Sequence, residues 1–334
     1  MNNIQSSSDS SDAATTAPTD DQIAVRQYMA SDSFRDFRNR PRDEPFSPLF
    51  SVVGGIGSLS LLLAVAAVLM IGTTKLAEDW LNSLASFTLV MLMIQTIAIP
   101  TLAIFSFVTA TSFFWFRSVL LRVIVAAVAV SFGFAVFATM FRLIEGASIE
   151  EMLLQSGTCL FAQFVATATV ALFVQFFTPY TLSHAQPLDS APIPPTGLRN
   201  FFELTVFFAV GFAILVAVGT EDLHAGLVFF GAWGVVSTIS IITLMISTMQ
   251  SGANNRIGWW VAMFFAIGCS ALLNGFYAVG LFGWSFQLTN AAIVVAVSIY
   301  GALVFAASFA VCIALLQEFQ WSVINRNTVT TEHS

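Results

Sequence analysis

The stretch FSVVGGIGSLSLLLAVAAVLMIG (50–72), followed almost at once by KLAEDWL (75–81), decides the fold class. The first stretch carries no charged residue and exceeds the roughly 20 helical residues that cross a hydrocarbon core about 30 Å thick. KLAEDWL then brings Lys75, Glu78 and Asp79 close together, which indicates that the chain has left the apolar layer. The two stretches therefore predict one membrane-spanning helix and the loop that ends it.

The same alternation continues along the chain, and the composition excludes an ordinary soluble domain. Of 334 residues, 57% are hydrophobic and only 9% are charged, whereas soluble domains carry roughly 25% charged residues. The three cysteines all fall inside apolar runs, so neither a disulfide framework nor a metal-binding cysteine motif is indicated. We expect no cofactor, because no apolar run contains the lysine that retinal would need or the histidine that typically ligates haem.

Eight apolar runs are long enough to span a bilayer, which predicts an all-α polytopic membrane bundle. Pro100 in the middle of the long second run predicts a kink or a tilt there. Acidic pairs recur 72 and then 71 residues apart (78, 150 and 221), a spacing that either a helical hairpin repeated four times or two similar four-helix halves would give. The predicted spans are 50–72, 84–114, 118–141, 152–177, 201–219, 226–249, 258–282 and 290–316.

The remaining segments divide the chain into five regions. Residues 1–47 are rich in Ser and Asp and then in Arg, which is typical of a disordered tail. Two membrane halves (48–178 and 201–318) are separated by a Pro- and Ser-rich linker (179–200), and a short tail (319–334) follows. The N-terminal tail is a candidate site for a protein partner. Nucleic acid is not an expected partner, because the 12 basic residues are dispersed along the chain.

Basic residues predict the orientation in the membrane. Lys75 and Arg142 fall on one side of the predicted bundle, and the other ten basic residues fall on the side of both termini. Positive residues stay cytoplasmic, so we expect both termini in the cytoplasm, with the cell membrane as the location. Tryptophans at predicted inner ends fit an aromatic belt; these are Trp115, Trp259, Trp260 and Trp321. Arg122 and Arg142 lie near span ends, from which long side chains can reach water.

The acidic pairs of the predicted outer loops admit two interpretations. Each pair precedes an even-numbered span, where carboxylates complement the positive end of the helix dipole, and this capping role is the favoured interpretation. Clustered carboxylates with a nearby imidazole could instead bind a metal ion. The candidate ligands are Glu78, Asp79, Glu150, Glu151, Glu221, Asp222 and His224.

Neutral polar residues inside the spans carry the two main functional hypotheses. Buried amides and hydroxyls must find partners in lipid, so they either join helices or line a path for a solute. The candidate path residues are Gln95, Gln163, Thr167, Ser240, Thr243 and Asn274. The first interpretation predicts a non-enzymatic membrane component, such as a subunit, a scaffold or a lipid-associated protein. The second predicts a transporter of a small neutral solute or lipid, and a membrane enzyme is third because no catalytic motif occurs.

Small residues in the last span predict close helix packing. Five of them recur at four-residue spacing, a pattern that allows helices to approach each other within one chain or in a homo-oligomer. They are Ser298, Ala302, Ala306, Ala310 and Ala314. Gly54, Gly55 and Gly57 predict a similar close approach in the first span.

Overall fold

The computed structural model describes most of the predicted membrane region. The described residues are 48–81, 87–115, 119–145, 156–183, 202, 205–211, 213, 216, 224–249, 256–282 and 288–325. All of them belong to the compact unit Phe46–Ser334. The predicted tail (1–47) and most of the predicted linker (179–200) lie outside the described residues, so their assignments remain predictions.

Helices dominate the described residues, and seven of them are long and apolar enough to cross a membrane. The predicted all-α polytopic bundle is therefore confirmed, with seven such helices described where eight were predicted. Helices α1 to α4 match predicted spans one to four, and α5 to α7 match spans six to eight. Their bounds are α1 (Pro48–Leu81), α2 (Phe87–Phe114), α3 (Val119–Glu145), α4 (Thr158–Phe177), α5 (His224–Met249), α6 (Arg256–Phe282) and α7 (Leu288–Glu318).

The predicted fifth span (201–219) is described only in part. Its ten described positions are all helical, and only Phe207 and Gly211 among them are shielded, whereas the other eight are exposed. The ring of Phe207 lies 5.4 Å from the ring of Phe113 in α2, measured between centroids. A Cβ added at Gly211 would touch Val165 of α4. One stripe of this segment therefore packs on the bundle.

The directions of α4 and α5 require that the chain between them crosses the membrane once more. Gly226 near the start of α5 lies against Cys159 near the start of α4, and Gly234 farther along α5 lies against Thr167 of α4. The two helices are therefore parallel, so the end of α4 and the beginning of α5 are at opposite ends of the bundle. The helical positions 205–211 lie between them in sequence, which is consistent with an eighth span.

KLAEDWL is helical, which corrects the predicted first loop. α1 continues to Leu81, so Glu78 and Asp79 lie in its last turn and not at the start of the next span, which begins at Phe87. No glycine or proline follows Gly72 in α1, and Lys, Leu, Ala and Glu are strong helix formers. Carboxylates in a last turn face the negative end of the helix dipole, so the capping interpretation is wrong for this pair.

Among the described helices, α2 occupies the centre of the bundle and contacts the six others. The other helices follow one another around it in the order α3, α1, α7, α6, α5 and α4. Pro100 lies inside α2, which remains one continuous helix. A helix of 28 residues is about 42 Å long at 1.5 Å per residue, so it exceeds the hydrocarbon core, as the second run predicted.

A two-stranded antiparallel sheet lies at one end of the bundle, which we call the sheet end. β1 (Tyr180–Ser183) follows α4, and β2 (Ser322–Asn325) follows α7. The strands pair from Tyr180 opposite Asn325 to Ser183 opposite Ser322. They fall in segments for which only a linker and a tail were predicted. Because they connect the ends of α4 and α7, they fasten two distant parts of the chain together.

Trp321 anchors the sheet end to α1. Its indole packs edge-on against Trp115 at 5.7 Å between ring centroids, and its Nε1 donates a hydrogen bond to Ser51 O at 3.0 Å. Trp115 and Trp321 are buried, so their assignment to an aromatic belt was wrong, whereas Trp259 and Trp260 are exposed, as a belt requires. The beginning of α1 and the end of α7 therefore lie at the same end of the bundle.

Candidate functional site

Two of the candidate path residues, Gln95 and Asn274, belong to a buried cluster between α2, α6 and α7, which we call the amide cluster. It consists of Gln95, Ser270, Asn274 and Ser298, each at most 4% exposed. Gln95 Nε2 donates to Asn274 Oδ1 at 2.6 Å, and Ser270 Oγ donates to Gln95 Oε1 at 2.8 Å. Asn274 Nδ2 donates to Ser298 Oγ at 2.8 Å. The cluster thus joins three helices through side-chain hydrogen bonds.

The amide cluster depends on a small residue in α7. A Cβ added at Gly301 would collide with Gln95 Oε1 and Ser270 Oγ. A side chain at this position would displace Gln95 and Ser270 from these contacts, whereas glycine lets the α7 backbone lie close to them. Ser298 completes the chain of donors by donating to Val294 O of its own helix at 2.7 Å. Every amide and hydroxyl of the amide cluster therefore has a partner within the protein, as hydrocarbon surroundings demand.

A second cluster, which we call the Ser106 cluster, joins α2, α4 and α5. Gln163 Nε2 donates to Ser106 Oγ at 2.8 Å and to Leu102 O at 3.1 Å. Ser237 Oγ donates to the same Ser106 oxygen at 2.9 Å. Thr167 on α4 donates to Gly234 O of α5 at 3.4 Å. Gln163 Oε1 is buried and has no hydrogen-bond partner among the described residues.

The two remaining candidate path residues lie apart from both clusters. Ser240 Oγ donates to Ala262 O of α6 at 2.8 Å, and Thr243 Oγ1 donates to Ile239 O of its own helix at 2.6 Å. Of the six candidates, the structure joins Gln95 directly to Asn274 and brings Gln163 and Thr167 to neighbouring places on α4. The polar candidates are thus divided among several separate contacts between helices.

A third polar group, which sequence reasoning missed, lies at the sheet end. Arg122 is 3% exposed, and its guanidinium donates to Phe113 O at 3.0 Å and to Gln175 Oε1. Gln175 Nε2 donates to Thr181 Oγ1 at 3.2 Å and to Phe114 O at 3.3 Å. The expectation that Arg122 reaches water was therefore wrong. The sequence did contain a signal for this group. Gln175 lies on the same four-residue spacing as Gln163 and Thr167.

A cavity of about 290 Å³ lies away from the amide cluster and from the sheet end, and it borders the Ser106 cluster at Leu102. It is surrounded by α1, α2, α3, the beginning of α4 and Phe230 of α5. None of the six candidate path residues lines it. Its walls are mostly aliphatic and aromatic, and the side chains of Thr101, Ser156 and Cys159 supply its few polar atoms.

The candidate metal ligands remain untested. Glu150, Glu151, Glu221 and Asp222 lie outside the described residues. Glu78, Asp79 and His224 are placed on helices, but their side chains are outside the described part. In the part of the chain that the structure does describe, no three His, Cys, Asp or Glu side chains come together as a metal site would require.

The small residues of α7 do not form one face. Ser298 and Ala302 are buried, whereas Ala310 and Ala314 are exposed. A four-residue step turns about 40° beyond a full turn of helix, so the series rotates from the interior to the surface. Gly54 and Gly55 lie against Phe319 and Trp321, as predicted, whereas Gly57 is exposed and the prediction of a close approach there was wrong. A homo-oligomer through the α7 series remains a prediction.

Together, the fold and its polar clusters define a multi-pass integral membrane protein whose helices are joined by buried amides and hydroxyls. No protein-family profile matches the chain, and neither a curated protein nor a solved structure is detectably similar to it.

Proposed function

We propose that this protein is a non-enzymatic membrane component with a closed polar interior, such as a subunit, a scaffold or a lipid-associated protein. One observation carries the proposal: most of the buried polar side chains in the described helices bond to one another or to neighbouring backbones. Gln95 and Asn274, the two amides of the amide cluster, have their donors and acceptors engaged.

A path for a polar solute has different requirements. Its lining groups must face water or the solute, so that they can replace hydration as the solute passes. Interhelical hydrogen bonds in membranes contribute roughly 0.6–2 kcal/mol each, and several would have to break before the amide cluster could serve as such a lining. The arrangement therefore supports a role in joining helices.

A transporter of a small neutral solute or lipid is the second candidate. The observation that favours it is Gln163 Oε1, a buried acceptor that has no partner among the described residues. A buried polar atom without a partner is costly, and a passing solute or a water molecule would satisfy it. The indole Nε1 of Trp233 in the neighbouring α5 is a buried donor that also has no hydrogen-bond partner among the described residues.

Orientation and partners are part of the proposal. In this proposal the sheet end faces the cytoplasm of a cell, because the sequence predicts most basic residues on its side. The tail (1–47) is then available to a cytoplasmic protein, and the exposed part of the α7 series is available to a second copy of the chain.

Thiol accessibility distinguishes the closed interior from a path. Single cysteines replace Ser106, Ser237, Ser240 or Ser270, which changes only one atom of the side chain, in a variant with Cys159, Cys269 and Cys312 changed to Ala. A small water-soluble thiosulfonate is applied from each side of membrane vesicles. A cysteine at Ser8 in the predicted tail is the positive control.

The closed interior predicts that all four positions stay unlabelled until the protein is denatured. Labelling of two or more positions under native conditions would show a wet interior and favour the transporter.

A further inference from the structure

The cavity lies where α3 and α4 enclose a space between two points of contact. At the sheet end, Arg122 of α3 donates to Gln175 of α4. Toward the other end, the ring of Phe134 in α3 lies 3.6 Å from where a Cβ at Gly157 would be. Apart from such contacts, the two helices pack on α2 and hardly on each other. Among the described residues, the wall of the bundle is therefore thin between them.

The lining of the cavity excludes a polar ligand. Leu63 and Ala67 of α1, Phe105 of α2 and Phe137 of α3 form much of its wall. The hydroxyl of Thr101 is directed to Ala66 O at 3.4 Å. Apolar cavities of this kind stay dry and take up apolar molecules. Water or an ion would find few partners there.

The volume of the cavity indicates how large an apolar ligand it can hold. An apolar cavity of about 150 Å³ holds a benzene molecule, so a cavity of about 290 Å³ has room for roughly a dozen carbon atoms by the same measure. This corresponds to most of one extended acyl chain. A lipid headgroup would not fit and would have to remain outside.

The surroundings identify the source of such a chain. On α3, Val128 is 66% exposed and Phe132 is 48% exposed, so this helix presents apolar side chains to the bilayer next to the cavity. Lipid chains are therefore adjacent at high concentration. A chain that moved from the bilayer into the cavity would not cross water.

We propose that the cavity is a binding site for one acyl chain of a membrane lipid, which enters from the bilayer between α3 and α4. Phe134 lies at the contact between these helices and would have to rotate as the chain enters. The site goes beyond the closed polar interior and does not depend on it, because Leu102, the described residue shared by the cavity lining and the Ser106 cluster, takes part in that cluster only through its backbone carbonyl.

Photo-crosslinking in vesicles tests the proposal. The full chain is reconstituted in phosphatidylcholine that carries a diazirine in the middle of one acyl chain, irradiated, digested and analysed by mass spectrometry. We expect crosslinks to be enriched at the cavity positions 133–137 and 156–160, relative to the exposed Leu303 on α7. A photoreactive fatty acid in a parallel sample distinguishes a free fatty acid from a lipid with its headgroup.

Two variants make the test specific. Ala67→Trp places an indole in the cavity, and Ala310→Trp places the same group on an exposed position of α7. Ala67→Trp should abolish the enrichment, whereas Ala310→Trp should leave it unchanged. Ala67→Leu is a milder filling variant in case the tryptophan prevents folding, and it should reduce the enrichment.

Two results would overturn the proposal. One is crosslinking of the wild-type chain that is no stronger at the cavity than at Leu303. The other is labelling of Cys159 by a water-soluble thiosulfonate as fast as a cysteine at Ser8, since this would show a wet cavity. Neither result would decide whether the polar clusters are closed, so the two proposals fail separately.

Discussion

Gln320 has a left-handed backbone conformation, with φ of 63°, where the chain leaves α7. Its N–H donates to Gln317 O at 3.0 Å, and the N–H of Trp321 donates to Leu316 O at 3.0 Å. These two bonds form a Schellman motif, which satisfies carbonyls that a helix end leaves without partners. Glycine usually occupies such a position, because other L-residues are disfavoured there by roughly 1–2 kcal/mol.

Gln320→Gly should therefore stabilise the protein, by about 1 kcal/mol at most. Ala314→Gly, at an exposed position inside α7, should instead destabilise it by about 1 kcal/mol, because glycine is a poor helix former. Thermal unfolding of the purified variants in one detergent measures both effects. A lower melting temperature for Gln320→Gly would contradict the proposed role of the turn.

Gln175 should be needed because it accepts a hydrogen bond from the buried guanidinium of Arg122. Gln175→Leu removes this acceptor and the donors to Phe114 O and Thr181, so we expect a loss of roughly 2–4 kcal/mol in unfolding free energy. Gln175→Glu keeps an acceptor for the guanidinium and should lose less. Thermal unfolding compares the two variants, and equal losses would show that the hydrogen bond to Arg122 is unimportant.

At the scale of single residues, the sequence predicts which polar side chains are buried but not which partners they bond to. Burial of Gln95, Gln163 and Asn274 was predictable, because an amide in an apolar span must find a partner. Which partner it finds was not predictable, since Gln95 and Asn274 are brought together by the packing of α2 against α6. Arg122 was assigned to water for the same reason: its acceptor Gln175 lies on a different helix.

At the scale of elements, the sheet end depends on Trp321. Its indole fills the space between Trp115, Ser51 and Gly55. Trp321→Ala should reduce the unfolding free energy by about 3 kcal/mol or more, the usual loss when a buried aromatic side chain is removed. Trp260→Ala is the matched control, because Trp260 is 78% exposed, and its effect should be small.

Thermal unfolding in detergent measures the two tryptophan variants, and limited proteolysis shows whether residues 322–334 become accessible. Equal melting temperatures for Trp321→Ala and Trp260→Ala would mean that the sheet end does not hold α7 to α1.

Helices were predictable at this scale and the sheet was not. Long apolar runs identify spanning helices because hydrocarbon leaves the backbone no other partners, and each described helix overlaps a predicted run. The extension of α1 through Glu78 was missed, because hydropathy marks the membrane boundary and not the end of the helix. β1 and β2 are only four residues long, which is too short for a recognisable alternation.

At the scale of the whole molecule, the central place of α2 explains why its interior polar residues matter. Among the described spans α2 is the most buried, and both the amide cluster and the Ser106 cluster include it. Hydropathy alone does not distinguish α2 from α5, since both runs have a mean hydropathy of 2.0. Only the order of packing identifies the centre, and that order depends on contacts between residues far apart in sequence.

The positions of the helix ends predict how many times the chain crosses the membrane. α1 begins and α7 ends at the sheet end, where Ser51 contacts Phe319 and Trp321. An even number of crossings must lie between them, and the seven described spans require one more. A cysteine at Ser83, between α1 and α2, should thus be on the opposite side of the membrane from a cysteine at Ser251, between α5 and α6.

Basic residues assign those two sides. In intact cells, a membrane-impermeant maleimide should label a cysteine at Ser83 at once and a cysteine at Ser251 only after permeabilisation, because the sequence predicts most of the arginines on the side of the sheet end. The two variants control each other for expression and reactivity. The reverse labelling pattern would contradict the predicted orientation but would still agree with eight crossings. Labelling of both from the same side would contradict the eighth crossing itself, because five crossings separate the two positions only if the segment around 205–211 spans the membrane.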